Sequence, residues 1–422
     1  MATLTQEFRK SMAVFEKVVR MKGRLICMSS MYNILIPTLF GRGCIKELGI
    51  KAKDFGATKV LLIYDPTMPE DLIEKVDKSL ANAEIKVIHF SNAQPNLPDY
   101  TIKEACDLVN ASDGVDCIVG FGGGSAMDTA KCVNLMLNNP WPLNQYYTAN
   151  GGAEVKNTGY PLILVPTTAG TGAEMTVAAV VTDTELDLKR PLSYVKCCKA
   201  DLAIIDPELT LTMPAGLTAI TGYDAFSHAF ESYVSDDGFM TPATDAVCLA
   251  AMKTIVKYLP LVLSDMGNIE YREEMAYAAN LAGIGIGNAH ANKGHAISHA
   301  VGSLTHAPHA VCVACNLPFI AEKLTPAYYR RIRNVVKEVF GKEVDDNISA
   351  DELGKLINGC IRQFELDIKC PSIKAYGATR QQIMDSAPLI MSDKLFHTGR
   401  VSMSREELEQ VLTDVCKYYG LN

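Results

Sequence analysis

The segment VDCIVGFGGGSAMDTAK, residues 115–131, limits what this chain can fold into more than any other. Val115, Ile118 and Val119 make an apolar run of strand length, four glycines follow between 120 and 124, and Ser125 opens a stretch with helical character. A strand that passes through a glycine-rich turn straight into a helix is the first half of a strand–helix–strand unit, the connection that parallel strands require. Without side chains, glycines let the backbone come close to a phosphate. The helix start adds unpaired N–H groups and the positive end of its dipole. A glycine-rich turn alone is a weak signal, and its place at a strand end gives it weight.

The surrounding pattern agrees. KVLLIYD (59–65), EIKVIHF (84–90), PLILVPTT (161–168) and DLAIIDPEL (201–209) read as further strands, separated by helix-length segments. This predicts a parallel α/β sheet. Strand signals fade after Met213, near LTLTMPAG, and long helical segments such as ATDAVCLAAMKTIVKYLPLVL and SREELEQVLTDVCKYY take over. The expected division is a helical extension over residues 1–30, an α/β domain over 31–212 and a helical domain over 213–422.

With 48% apolar and 21% charged residues, the 422-residue chain can bury a large core. A net charge of −8 without a basic block speaks against a nucleic-acid partner. Thirteen scattered cysteines, including the single CxxC of Cys312 and Cys315, fit free thiols packed in a core and a reducing, cytoplasmic setting. No apolar run reaches the roughly 18 residues of a bilayer span, and the N-terminus lacks a signal-peptide layout. Leu4, Phe8, Met12, Phe15 and Val19 instead form one stripe of an amphipathic helix, an arm on the body or a docking peptide for an assembly. Glu7 and Glu16 argue against a transit peptide.

Asp65 closes the strand IYD, where a carboxylate can accept hydrogen bonds from ribose hydroxyls and would repel a 2′-phosphate. That favours NAD over NADP. PTTAGTGAEMT (166–176) sets four threonines and two glycines past another strand end, suited to a polar ligand. In the helical half, Asp224 and His228 are four apart, as are His295 and His299, so each pair shares a helix face. His309 follows a proline-marked turn. One carboxylate and two or three imidazoles make a mixed site for a divalent transition metal such as Fe²⁺ or Zn²⁺.

Taken together, these motifs resemble the iron-containing (group III) alcohol dehydrogenase family, over nearly the whole chain from NILIPTLFGRG (33–43) onward. The glycine–serine turn leading to Asp-Thr-Ala-Lys is Gly122 to Lys131, the Pro-Thr-Thr-x-Gly-Thr-Gly block is Pro166 to Gly172, and the metal elements are Asp224/His228 and His295/His299/His309. The resemblance implies a Rossmann-like NAD-binding domain and an all-helical metal domain with a cleft between them, an architecture like that of dehydroquinate synthase. It implies that Asp224, His228, His295 and His309 bind the metal and that His299 relays a proton. Asp65, Asn96, Gly123, Gly124, Ser125, Asp128, Thr167, Thr168, Thr171, Thr176 and Lys189 fall where the family contacts NAD(H). The implied reaction is hydride transfer between NADH and a short aldehyde, in a homodimer or larger homo-oligomer.

Two stretches depart from the family. The residues before the first metal histidine of the second pair are His290, Ala291, Asn292, Lys293 and Gly294, where small apolar residues are usual. The C-terminal approach reads FHTGRVS, with His397 and Arg400. Charges in a cleft need partners. For Lys293 and Arg400 one such partner is the solvent or a local carboxylate. The other is an anionic group on the substrate, with His290, Asn292 and His397 alongside, which points to sulfoacetaldehyde, reduced to isethionate. Uncharged aldehydes such as propanal or lactaldehyde are the alternative. A dehydroquinate-synthase-type lyase and a catalytically silent assembly subunit are the other readings; absence of net NADH turnover would point to the first, and the intact metal ligands argue against the second.

Overall fold

Val60, Leu61, Leu62 and Ile63 are all fully buried, alternate residues facing opposite layers of core, so this strand lies inside a sheet covered on both faces. The computed structural model describes Asn33, residues 36–235 and residues 239–422. The helix expected over residues 1–30 lies outside the described residues. Six strands form one parallel sheet: β1 (Thr38–Phe40), β2 (Lys59–Ile63), β3 (Lys86–Phe90), β4 (Cys117–Gly122), β5 (Leu162–Pro166) and β8 (Leu202–Ile205). Their order is β1-β8-β5-β4-β2-β3. Helices of seven residues or more are labelled in chain order. α1 (Leu48–Asp54), α2 (Glu70–Asn82), α3 (Asp99–Asn110) and α4 (Gly124–Asn138) cover the sheet.

The expected strands are present but shorter, because their polar ends are turns. The strand expected over 59–65 stops at Ile63, and Asp65 accepts a hydrogen bond from the Thr67 amide instead. Three strands were not anticipated: edge strand β1 and the antiparallel pair β6 (Ala178–Asp183) and β7 (Leu188–Ser193). Pro191 inside β7 removes a ladder donor and hides the strand signal.

The helical half contains α5 (Ala215–Tyr233), α6 (Pro242–Ser264), α7 (Ile269–Ala289), α8 (Lys293–Thr305), α9 (His309–Glu338), α10 (Ala350–Asp367) and α11 (Arg405–Tyr419). α6 corrects one expectation. It has 23 residues, and an 18-residue window within it has a mean hydropathy of 1.7, long and apolar enough to cross a membrane by composition. Here its Cys248, Ala251, Met252, Ile255, Leu259 and Val262 face builds the core with α5 and α7. The sheet and the helices meet where Gly172 touches Gly283 of α7; a Cβ on Gly172 would stand 2.5 Å from the Gly283 Cα. Arg42 reinforces the junction through Glu273 at 2.6 Å. The twelve cysteines among the described residues are free, and Cys312 and Cys315 are buried core thiols.

Candidate active site

α5 carries Asp224, His228 and Glu231 at positions i, i+4 and i+7, one face of the helix. Across from them α8 presents His295, and His309 opens α9 behind the cap Pro308. The Asp224 Oδ1 lies 3.9 Å from the His228 Nε2, 3.8 Å from the His295 Nε2 and 3.8 Å from the His309 Nε2. These spacings are too long for hydrogen bonds. They suit donors around a shared ion, since ligands bound at about 2.0–2.2 Å in a tetrahedron stand roughly 3.4 Å apart. The Asp224 Oδ1 and His295 Nε2 are buried without a hydrogen-bond partner among the described residues. Asp224, His228 and His295 offer donor atoms within 4.8 Å of one another. His309 stands on the open side, its side chain 38% exposed.

The electrostatics suit a cation. Burial pushes the His295 imidazole down to about 3, so it is neutral at physiological pH. Burial alone would raise Asp224, but the facing imidazoles outweigh it and its carboxyl titrates below its usual value. One carboxylate with neutral imidazoles is a donor set for a divalent transition metal.

Two partners that the sequence reading missed aim the imidazoles. Glu231, fully buried, accepts from the His295 Nδ1 at 2.8 Å, the Asn292 amide at 2.8 Å and the His295 amide at 3.2 Å. With its Nδ1 proton held there, His295 turns its Nε2 lone pair toward Asp224. Burial raises Glu231 to about 7, although surrounding backbone N–H groups work against the shift. The Ser298 hydroxyl donates to the His309 carbonyl at 3.0 Å and accepts from the His309 Nδ1 at 3.0 Å, which fixes that ring likewise. Glu231 was readable in principle from its i+7 spacing to Asp224, whereas Ser298 has no such signature.

His299 stands beside this cluster, its ring stacked on His309 at 5.7 Å between centroids. Its Nδ1 is 3.1 Å from the Oδ2 of Asp393, another residue not anticipated. Asp393 stays below the usual carboxylate range, because the His299 hydrogen bond and charge outweigh its burial.

β2 and β4 are neighbours, yet the chain leaves β2 toward β3 on one side and β4 toward β5 on the other. The crevice beyond their carboxyl ends is the switch point where open α/β sheets take ligands. Asp65 and the glycine turn meet there: a Cβ on Gly122 would stand 3.7 Å from the Asp65 Oδ2. Gly123 and Gly124 open α4 against Thr168 and Thr171, with Ser125 in its first turn and the Thr167 amide bonded to the Gly122 carbonyl at 3.0 Å. The Thr168 Oγ1 is buried without a partner among the described residues. Lys189, brought down to about 8 by burial, donates to the Asn96 Oδ1 at 2.8 Å, and its strand β7 lies against α8. Asp128 and Thr176 face inward: both bond the fully buried Lys131 ammonium, at 3.0 and 3.2 Å, and Asp128 also accepts from the Val180 amide at 3.1 Å. Gly124→Val should weaken NADH binding about tenfold or more. Its Cβ would stand 2.9 Å from the Thr171 Cγ2, and overpacking costs roughly 1–3 kcal/mol. Fluorescence titration checks this, with metal content expected to be unchanged.

The residues read as substrate contacts are less uniform. The Asn292 side chain holds the backbone, accepting from the Lys293 amide at 2.7 Å and donating to the Glu231 and Val234 carbonyls. Lys293 is 1% exposed, its ammonium 2.6 Å from the Thr398 carbonyl. His290 ends α7 with φ 60° and packs edge-on against Phe239. His397 is exposed, its Nε2 on the Met391 carbonyl at 2.7 Å. Arg400 is exposed beside the Tyr328 ring in a shallow pocket of about 280 Å³ that also includes Arg330 and Arg331. Among the bonds the described residues make, Asn292 and the Lys293 ammonium engage backbone groups.

The chain is 38% identical over 317 residues to the NAD-dependent methanol dehydrogenase of Bacillus methanolicus, covering 74% of this chain and 81% of that protein. It is 36% identical over 280 residues to the sulfoacetaldehyde reductase of Bilophila wadsworthia (strain 3_1_6), covering 66% and 70%. The solved alcohol dehydrogenase from Oenococcus oeni superposes with a TM-score of 0.85 at 31% identity, over 91% of this chain and 100% of that one. The family models for iron-containing alcohol dehydrogenase and for its C-terminal region match residues 37–207 and 218–416. The chain belongs to the iron-containing alcohol dehydrogenase family.

Proposed function

We propose that this protein is an NAD(H)- and metal-dependent alcohol dehydrogenase, working as an aldehyde reductase on a short aldehyde. The carrying observation is the single Asp224 oxygen faced by three imidazole nitrogens at 3.8–3.9 Å, in a chain whose glycine turn and Asp65 line a sheet switch point. Asp224, His228, His295 and His309 would hold the divalent ion, iron in keeping with the family. When bound, the ion supplies Lewis acidity toward the carbonyl oxygen and NADH supplies the hydride. Asp65 receives the ribose hydroxyls, and the α4 N-terminus with Thr168 receives the pyrophosphate. Asp393 holds the His299 Nδ1, leaving the Nε2 to pass a proton toward the developing alkoxide.

The burial of Lys293 favours an uncharged short aldehyde such as propanal or lactaldehyde. The anionic alternative, sulfoacetaldehyde reduced to isethionate, is supported by the sulfoacetaldehyde reductase relative. NADH oxidation by iron- and zinc-loaded protein with sulfoacetaldehyde, succinic semialdehyde, lactaldehyde and propanal separates the two. Higher kcat/KM for propanal or lactaldehyde is expected. A preference of about a hundredfold for an anionic aldehyde, roughly 2.7 kcal/mol, would establish the alternative.

A further inference from the structure

We propose that Lys293 is a positioning residue that clasps the segment Asp393–Arg400 against α8, making that segment a substrate-side wall of the metal pocket. The inference rests on the dehydrogenase reading above. A cation in the first turn of a helix is disfavoured by the helix dipole, and a buried ammonium loses its hydration. Lys293 accepts both conditions and donates a charge-assisted hydrogen bond to the Thr398 carbonyl at 2.6 Å, above the buried Phe396 ring at 5.7 Å.

The same segment is fastened at both ends. At its start, Asp393 bonds the His299 Nδ1 at 3.1 Å, placing the segment beside the imidazole cluster. At its close, the Arg400 amide donates at 2.7 Å to the Tyr328 hydroxyl, which itself donates at 2.9 Å to the Ser235 carbonyl. Gly399 makes this approach possible. Its φ of 85° is left-handed, and a Cβ there would stand 3.1 Å from the Tyr328 Oη and 4.0 Å from the Lys293 Nζ. Lys293 thus joins the helix that bears His295 to a segment about a hundred residues later in the chain, between the two end anchors.

The test is Lys293→Met in the metal-loaded enzyme, with Lys293→Arg as the conservative variant. Hydrogen–deuterium exchange over residues 393–400 should quicken by about tenfold, the size of one hydrogen bond from a charged donor. Metal content and NADH affinity should stay unchanged. KM should rise by about tenfold for propanal and sulfoacetaldehyde alike, with a smaller change in kcat, and Lys293→Arg should recover part of both effects. Gly399→Ala, reaching the clasp from the other side, should loosen the same segment. Unchanged exchange with a KM increase confined to sulfoacetaldehyde overturns the proposal, because Lys293 would then be touching the substrate anion. Loss of metal overturns it too, as a sign of general support of the metal helix. If the unmodified enzyme reduces no aldehyde, the dehydrogenase reading fails, while hydrogen exchange still decides whether Lys293 clasps the segment.

Discussion

Asp224→Asn should abolish metal retention and lower kcat/KM for aldehyde reduction by about a thousandfold or more. The substitution keeps the shape of the side chain and removes the charge, so packing around α5 is not disturbed. One oxygen of Asp224 faces three imidazole nitrogens at 3.8–3.9 Å, and His295 is neutral at physiological pH. Asp224 is therefore a carboxylate that faces all three rings at once. A Lewis acid is worth several kcal/mol at a developing alkoxide, and each 1.36 kcal/mol is about tenfold in rate. Metal analysis, steady-state kinetics and thermal unfolding with and without chelator test this together. A ligand present at a hundred times its Kd stabilises the fold by about 2.7 kcal/mol. Chelation should thus lower Tm of the native protein and leave the variant unmoved. A variant that holds one metal per chain with near-native turnover would remove Asp224 from the ligand set.

The parts of this site that were legible are those carried by backbone periodicity. Asp224/His228 and His295/His299 announce a shared helix face by their spacing, and the glycines at 120–124 announce a strand-to-helix turn, because local geometry alone dictates both. The residues that aim those groups were not legible. Asp393 reaches His299 across 94 positions, and nothing near Asp393 marks it as other than a helix-capping aspartate. Lys293 shows the same limit in reverse. Sequence places it two residues before His295 but not which way it points, and its first-turn position turns it back over Thr398 rather than toward a ligand. The β6–β7 pair was hidden by Pro191, and β1 is a three-residue edge too short to show a pattern.

Glu231→Ala should weaken metal binding by about 10- to 100-fold, the usual cost of losing the partner that orients a ligating histidine. It should also destabilise the protein by roughly 2–4 kcal/mol. That cost combines a cavity with the orphaned donors left by the carboxylate, each costing about 1–3 kcal/mol and not fully additive. Those donors are the His295 Nδ1 and the amides of Asn292 and His295. Glu231→Gln separates the two effects. The amide nearly preserves volume and keeps one acceptor oxygen for the His295 Nδ1, so the fold should hold while the lost charge still weakens the metal. Gly294→Ala attacks the same contact from the backbone, since its Cβ would overlap the Glu231 Oε1. It should resemble Glu231→Ala in metal loss even though it leaves every titratable group in place. Metal titration followed by a competing chelator, beside denaturant unfolding of the metal-free proteins, measures both quantities. If Glu231→Ala bound metal as tightly as the native chain, His295 would be aimed by its helix alone. The buried carboxylate would then serve only to close the turn between α7 and α8.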